Sequence, residues 1–189
     1  MIPRSKTRIR TAAELEARAE CFHEVSQILD KLRLEYFIQG GVLLGARREG
    51  YFIPWDWDVE FSIFSIQAVG FFDELVELLL DCGYQITKKD TSIEDLKINF
   101  FKGKSSEPTS FTIFGWWHDE RRKVYRRKTL QVPEHFFQNL ESIEFLGKRV
   151  PCPSDVDAYL THQYGDWWIP KKTSDKFEYL TKSFSDQSS

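Results

Sequence analysis

The chain has 189 residues, a formal net charge of −3, 41% hydrophobic residues and 15% aromatic residues, which fits one domain with a substantial core. The negative balance excludes a global basic field for nucleic acid, so an anionic ligand has to be met by a local cluster or through a cation. No apolar run approaches the roughly 20 residues of a membrane span and the basic N-terminus lacks an apolar signal core, so the expectation is a cytoplasmic protein with no transmembrane segment.

Residues 1–10 are polar and basic and read as frayed. Thr11 and Glu14 have the spacing of a capping box, in which hydroxyl and carboxylate satisfy orphan amides. Leu15, Phe22, Val25, Leu29 and Leu32 then repeat at helical spacing, predicting a helix over 11–33. A short strand from Tyr36 to Gln39 runs into Gly40-Gly41, and an acidic strand follows at about 57–63. Ser65 is expected to cap a second helix with the stripe Phe72, Leu75, Val76, Leu79 and Cys82, ended by Gly83. Strands are predicted over 84–88, 96–102 and 111–117, with a turn-rich loop over 102–108. Val124 to Leu130 continues a hairpin, and Pro133 opens a short helix over 134–139. Ile143 to Val150 reads as a hairpin turned at Gly147-Lys148. Ser154 is expected to cap a last helix carrying Val156, Tyr159, Leu160 and Gln163, with Gly165 past its end. The order predicts an α+β fold: a mixed β-sheet backed by helices, with a helical C-terminal portion. One domain is expected over 1–172, followed by a polar, flexible tail over 173–189. The three cysteines, Cys21, Cys82 and Cys152, match no zinc spacing and read as free thiols in a reducing compartment.

The chemistry concentrates between residues 40 and 60. Asp56, Asp58 and Glu60 alternate with Trp55, Trp57, Val59 and Phe61, so on an extended strand the three acids share one face. Like charges that close repel unless water or a cation intervenes, and hard oxygen ligands suit magnesium or manganese. The plain alternative is an amphipathic strand with an acidic wet face. Gly40-Gly41 lets the backbone approach a ligand closely, and a helix starting near Val42 would point free amides at an anion there. Two glycines also make an ordinary turn. Arg47 and Arg48 follow; a guanidinium grips phosphate in two places, and an exposed pair of this kind also serves as a solvated helix face. The run Arg121 to Lys128, with Arg126 and Arg127 in it, is a candidate for a second phosphate or an anionic acceptor, or else a solvated ribbon. Trp116-Trp117-His118 either stacks a base or sugar or packs.

Gly41-Val42-Leu43-Leu44-Gly45-Ala46-Arg47-Arg48, followed by Gly50-Tyr51-Phe52-Ile53-Pro54-Trp55-Asp56-Trp57-Asp58-Val59-Glu60, resembles the signature of LicD-type phosphotransferases. A second stretch, Val150-Pro151-Cys152-Pro153 through Tyr159-Leu160 to Tyr164-Gly165-Asp166-Trp167-Trp168-Ile169-Pro170, is similar to the ending of that family, its fukutin and fukutin-related branch included. The resemblance implies a nucleotidyltransferase fold. It implies transfer of a phosphorylated alcohol (phosphocholine, ribitol phosphate or glycerol phosphate) from a CDP-activated donor to a glycan or lipid-linked saccharide. In the family pattern Asp56, Asp58 and Glu60 match the metal-binding, catalytic acids, Gly41 the donor-binding turn and Arg48 the arginine after it. Val42 replaces the usual threonine, Glu60 the usual aspartate, and Thr112 falls where a later acid is expected. The same residues also admit nucleotidyl transfer to a small molecule or protein, or a catalytically weakened nucleotide-binding module.

Overall fold

The computed structural model describes residues 8–56, 58–103, 110–128 and 130–172. The polar tail over 173–189 and most of the loop after Gly103 lie outside the described residues. The helix α1 spans Ala12–Lys31 and opens on Thr11, with both halves of the capping box present. Residues 8–10 are pinned rather than frayed: Arg8 pairs with Glu14 and the Arg10 amide donates to the Pro54 carbonyl at 2.9 Å.

Strand β1 (Tyr36–Phe37) leads into helix α2 (Gly40–Glu49), and strand β2 (Asp58–Phe64) follows. The helical segment expected from Ser65 breaks into α3 (Ser65–Ala68), a 3-10 turn at Val69–Phe71 and α4 (Phe72–Asp81). Gly70 falls in the joint, a weak helix former where a turn has to bend. Ser65 caps nothing; its hydroxyl is buried close to Gly115, where a Cβ would stand 2.3 Å from it.

Strands β3 (Gln85–Asp90), β4 (Lys97–Phe101) and β5 (Ser110–Asp119) complete the order β1-β2-β5-β4-β3. The β2 and β5 strands run parallel, and the other pairs are antiparallel. The hairpin expected to continue over Val124 to Leu130 does so as β6 (Val124–Arg127), paired with β5 and with β7 (Leu130–Pro133), and the chain turns at Lys128 with φ 51°. A short α5 (His135–Gln138), the hairpin β8 (Glu141–Phe145) and β9 (Lys148–Cys152), and α6 (Val156–Tyr164) finish the described chain. The N-cap of α6 is Asp155, whose carboxylate accepts from the Ala158 amide at 3.2 Å, not Ser154. The Ser154 hydroxyl donates instead to the His135 carbonyl at 2.7 Å. All three cysteines are free. No helix among the described residues is long and apolar enough to cross a membrane.

Partnered residues on neighbouring strands share a face, which gives the sheet two unlike sides. Val59, Phe61 and Ile63 of β2, Phe111 and Ile113 of β5, and Ile98 and Phe100 of β4 are buried on one side. Helix α1 covers it, with Phe22 stacked on Phe61 at 4.8 Å between ring centres. The other side carries the rows Asp58–Ser110–Phe101, Glu60–Thr112–Asn99, Ser62–Phe114–Lys97 and Phe64–Trp116. Its far end is sealed by Phe37 and Phe137, which pack on Phe64 and Trp116 respectively. Its near end keeps the acids.

Phe22 is fully buried and also meets Phe52 and Phe145 edge-on. Phe22→Ala should therefore lower unfolding stability by about 3–5 kcal/mol. A urea melt checks this, and a change below about 1 kcal/mol would contradict the packing described.

Candidate active site

Asp58 and Glu60 lie on alternate positions of β2 and share the polar face, as the two-residue period requires. Asp56 does not belong to the strand. It closes a turn, its amide donating to the Ile53 carbonyl at 3.0 Å, and it reaches the site from the side. A Cβ on Gly41 would stand 2.2 Å from Asp56 Oδ2, so the carboxylate packs directly on the first turn of α2. That is the end of the helix whose free amides favour negative charge. Gly40 takes φ 62°, a left-handed angle, and a Cβ there would meet Glu60 Oε2 at 3.3 Å. The glycine pair is thus required by backbone angle at one position and by a carboxylate at the other.

Burial, then the Glu60 and Asp56 charges, holds the Asp58 carboxyl well above its usual 3.8. Arg18 offsets part of this. The Arg18 side chain is fully buried, its Nη1 donates to the Asp56 carbonyl at 3.3 Å, and its Nε and Nη2 have no hydrogen-bond partner among the described residues. Burial lowers the Arg18 pKa to about 10, while Asp56 and Asp58 favour its charged form. Sequence reading missed this residue. The signal was legible: Arg18 sits between Leu15 and Phe22 on the helical stripe, a charge where the period demands an apolar group.

A second buried chain of bonds ends on Glu60. The Tyr159 hydroxyl donates to Gln39 Oε1 at 3.0 Å, and Gln39 Nε2 donates to Glu60 Oε2 at 3.4 Å. Burial raises the Tyr159 pKa far above the phenol range, so it stays protonated and fixes the direction of both bonds. Thr112, in register with Glu60, is buried and puts a neutral hydroxyl where the family pattern expects an acid.

The predicted basic residues divide. Arg127 stacks its guanidinium on the Phe114 ring at 3.6 Å, within electrostatic reach of Glu60 and Asp58. Arg126 points the other way, because neighbours on β6 face opposite sides; it lies over Trp117 at 5.5 Å and pairs with Asp119 at 3.7 Å. Arg48 is not brought to the glycine turn. It sits in the last turn of α2, where it pairs with Glu49 at 2.8 Å and donates to the Trp167 carbonyl at 3.3 Å. Trp116 and His118 pack: Trp116 Nε1 donates to Ser62 Oγ at 3.1 Å, and His118 bonds Glu134 at 2.8 Å.

Among the described residues no three His, Cys, Asp or Glu side chains are gathered tightly enough to hold a metal ion. The donor chemistry still fits a hard divalent cation. The carboxylate charges of Asp56 and Glu60 act together on the half-buried Asp58, and Arg18 offsets part of them.

A family model described as LicD/FKTN/FKRP, nucleotidyltransferase domain, matches residues 33–155. The chain belongs to the LicD/FKTN/FKRP family. Mouse ribitol 5-phosphate transferase FKRP is 28% identical over 159 residues, covering 80% of this chain and 32% of that protein. Human ribitol-5-phosphate transferase FKTN is 25% identical over 174 residues, covering 88% and 36%. The chain therefore spans about a third of the length of these curated relatives. Its fold is that of nucleotidyltransferases: it superimposes on ANT(2")-Ia in complex with adenylyl-2"-tobramycin with a TM-score of 0.50 at 16% identity, covering 73% of this chain and 70% of that one.

In this LicD-family site the folded chain holds the Asp58 proton more tightly than the unfolded chain does. Stability is then greatest below the ordinary carboxylate value and falls as pH rises toward the raised one. Asp58→Asn should melt above the parent at pH 7 in chelator, by an amount on the order of 1 kcal/mol, and the gap should close near pH 4. Equal melting temperatures at pH 7 would contradict the repulsion.

Proposed function

We propose that this domain transfers a phosphorylated alcohol from a CDP-activated donor to a saccharide hydroxyl, with magnesium or manganese bound by Asp56, Asp58 and Glu60. The alcohol is choline, ribitol or glycerol, and the acceptor is a glycan or a lipid-linked saccharide. The observation that carries the reading is the approach of Asp56 and Glu60 to the glycine end of α2, with Asp58 in the field of both, in a chain of the family that includes FKRP and FKTN. When bound, a divalent ion neutralises phosphate charge and aligns the attacking and leaving oxygens.

The chain's own residues have separable tasks. The acceptor oxygen bonds to the donor's β-phosphorus, the bond from that phosphorus to the bridging oxygen breaks, and CMP leaves. Glu60 takes the hydroxyl proton. Gln39 occupies Oε2 of Glu60 and thereby turns Oε1 to the reacting groups. The first amides of α2 favour the donor's pyrophosphate as they favour Asp56. Arg18 holds the turn that carries Asp56. Arg127 stands ready for phosphate charge.

The test offers CDP-ribitol, CDP-glycerol and CDP-choline, with magnesium and a panel of saccharides, and reads CMP release and product mass. One donor should turn over, and Asp58→Asn should cut kcat by about 100-fold or more. Undiminished turnover by that variant would sink the assignment. Thr112 on the Glu60 row favours a second reading, a nucleotide-binding module without turnover. Donors that raise the melting temperature while no acceptor is modified would select it.

A further inference from the structure

We propose that Lys97 and Arg127, gathered on the Phe114 ring, form a receptor for a multiply charged phosphate group, set apart from the carboxylates. The β4–β5 register pairs Lys97 with Phe114, one row beyond Glu60–Thr112–Asn99. Lys97 Nζ lies 4.8 Å from the centre of that ring, and the Arg127 guanidinium carbon lies 3.6 Å from it. Two cations thus share one aromatic surface.

Neither has a carboxylate at ion-pair distance among the described residues, whereas their neighbours do. Lys128 pairs with Asp95 at 3.0 Å and Arg126 with Asp119 at 3.7 Å. Arg127 Nη1 is buried without a hydrogen-bond partner among the described residues. A guanidinium taken out of water without its donors satisfied is destabilising, and an aromatic face compensates only part of the loss. The Lys97 pKa is lowered by burial and then by Arg127, Lys128 and Lys88, so the two cations oppose each other. An anion bridging them would remove both penalties. Glu60 is felt by both but pairs with neither, being held by Gln39. A carboxylate at Thr112, one row away, would offset one of the two charges; the hydroxyl there offsets neither.

A forked guanidinium beside an ammonium suits a group with several charged oxygens, as in phosphate or pyrophosphate, better than a single carboxylate. Taken with the proposed reaction, on which this assignment of the ligand rests, the receptor holds donor phosphate oxygens opposite the metal-binding acids. The binding itself needs no metal and no turnover.

The experiment is titration calorimetry of the chain with sodium pyrophosphate in chelator at fixed ionic strength. One pyrophosphate per chain is expected. Lys97→Met keeps the stem over Phe114, removes the charge, and should weaken binding about tenfold or more. Arg127→Lys keeps a charge so that the chain folds, loses the fork, and should weaken binding similarly. Asp58→Asn should bind at least as tightly as the parent, because a nearby negative charge is gone. Absence of binding by the parent, or unchanged affinity in Lys97→Met, overturns the receptor. Binding that behaves as described while no CDP donor turns over overturns the reaction and leaves the receptor standing.

Discussion

The crowding of Asp56, Asp58 and Glu60 against the glycine end of α2 is the constraint around which the rest of this structure is arranged. Three carboxylates in a partly desolvated corner repel one another strongly, since fewer waters screen them. The fold opposes that repulsion in three places. Asp56 packs on the first turn of α2, the buried Arg18 donates to the Asp56 carbonyl, and Gln39 donates to Glu60. None of these neutralises the set, as the raised Asp58 carboxyl records. What is left over is an excess of negative charge beside the first turn of α2.

The central sheet converts this into a graded surface. Along the polar side, the first two rows each carry an acid on β2 (Asp58, then Glu60 beside the neutral Thr112 and Asn99), the next carries a cation on an aromatic (Lys97, Phe114, with Arg127 stacked on it), and the last is a sealed aromatic end (Phe64, Trp116). The rows are spaced by about 6.5–7 Å, two residues of strand, so the acids and the Lys97–Phe114 row stand on different steps. The opposite side of the same strands is continuous hydrophobic core under α1. One strand, β2, therefore anchors the fold and presents the acids, and a one-residue slip in its register would exchange the two functions.

The C-terminal elements are part of the site. Tyr159 reaches Gln39 from α6, Arg47 pairs with Asp157 at 2.8 Å, and Arg48 donates to the Trp167 carbonyl. These bonds tie Gln39 and α2 to the C-terminal segment. The similarity to FKRP and FKTN covers about a third of the length of each.

Local pattern determined much of this. The capping box of α1, the alternation that puts Asp58 and Glu60 together, and the glycine pair at the start of α2 all follow from interactions within a few residues, and the motif resemblance supplied the family. Other features depend on residues far apart in the chain, and these the one-dimensional pattern did not contain. Asp56 was expected on the strand face but arrives from a turn, because its position is fixed by contact with Gly41. Arg48 looked equivalent to Arg127 as a phosphate grip; only the packing of α2 on the C-terminal segment ties the first down, and only the fold of β6 over Phe114 leaves the second without an ion pair among the described residues. Lys97 carried no signal at all, since its meaning comes from a strand pairing across the sheet. Sequence determined which chemical groups are present and which side of each element they take, because those are short-range properties; tertiary structure decided which charges are compensated, because that depends on neighbours brought in from elsewhere in the chain.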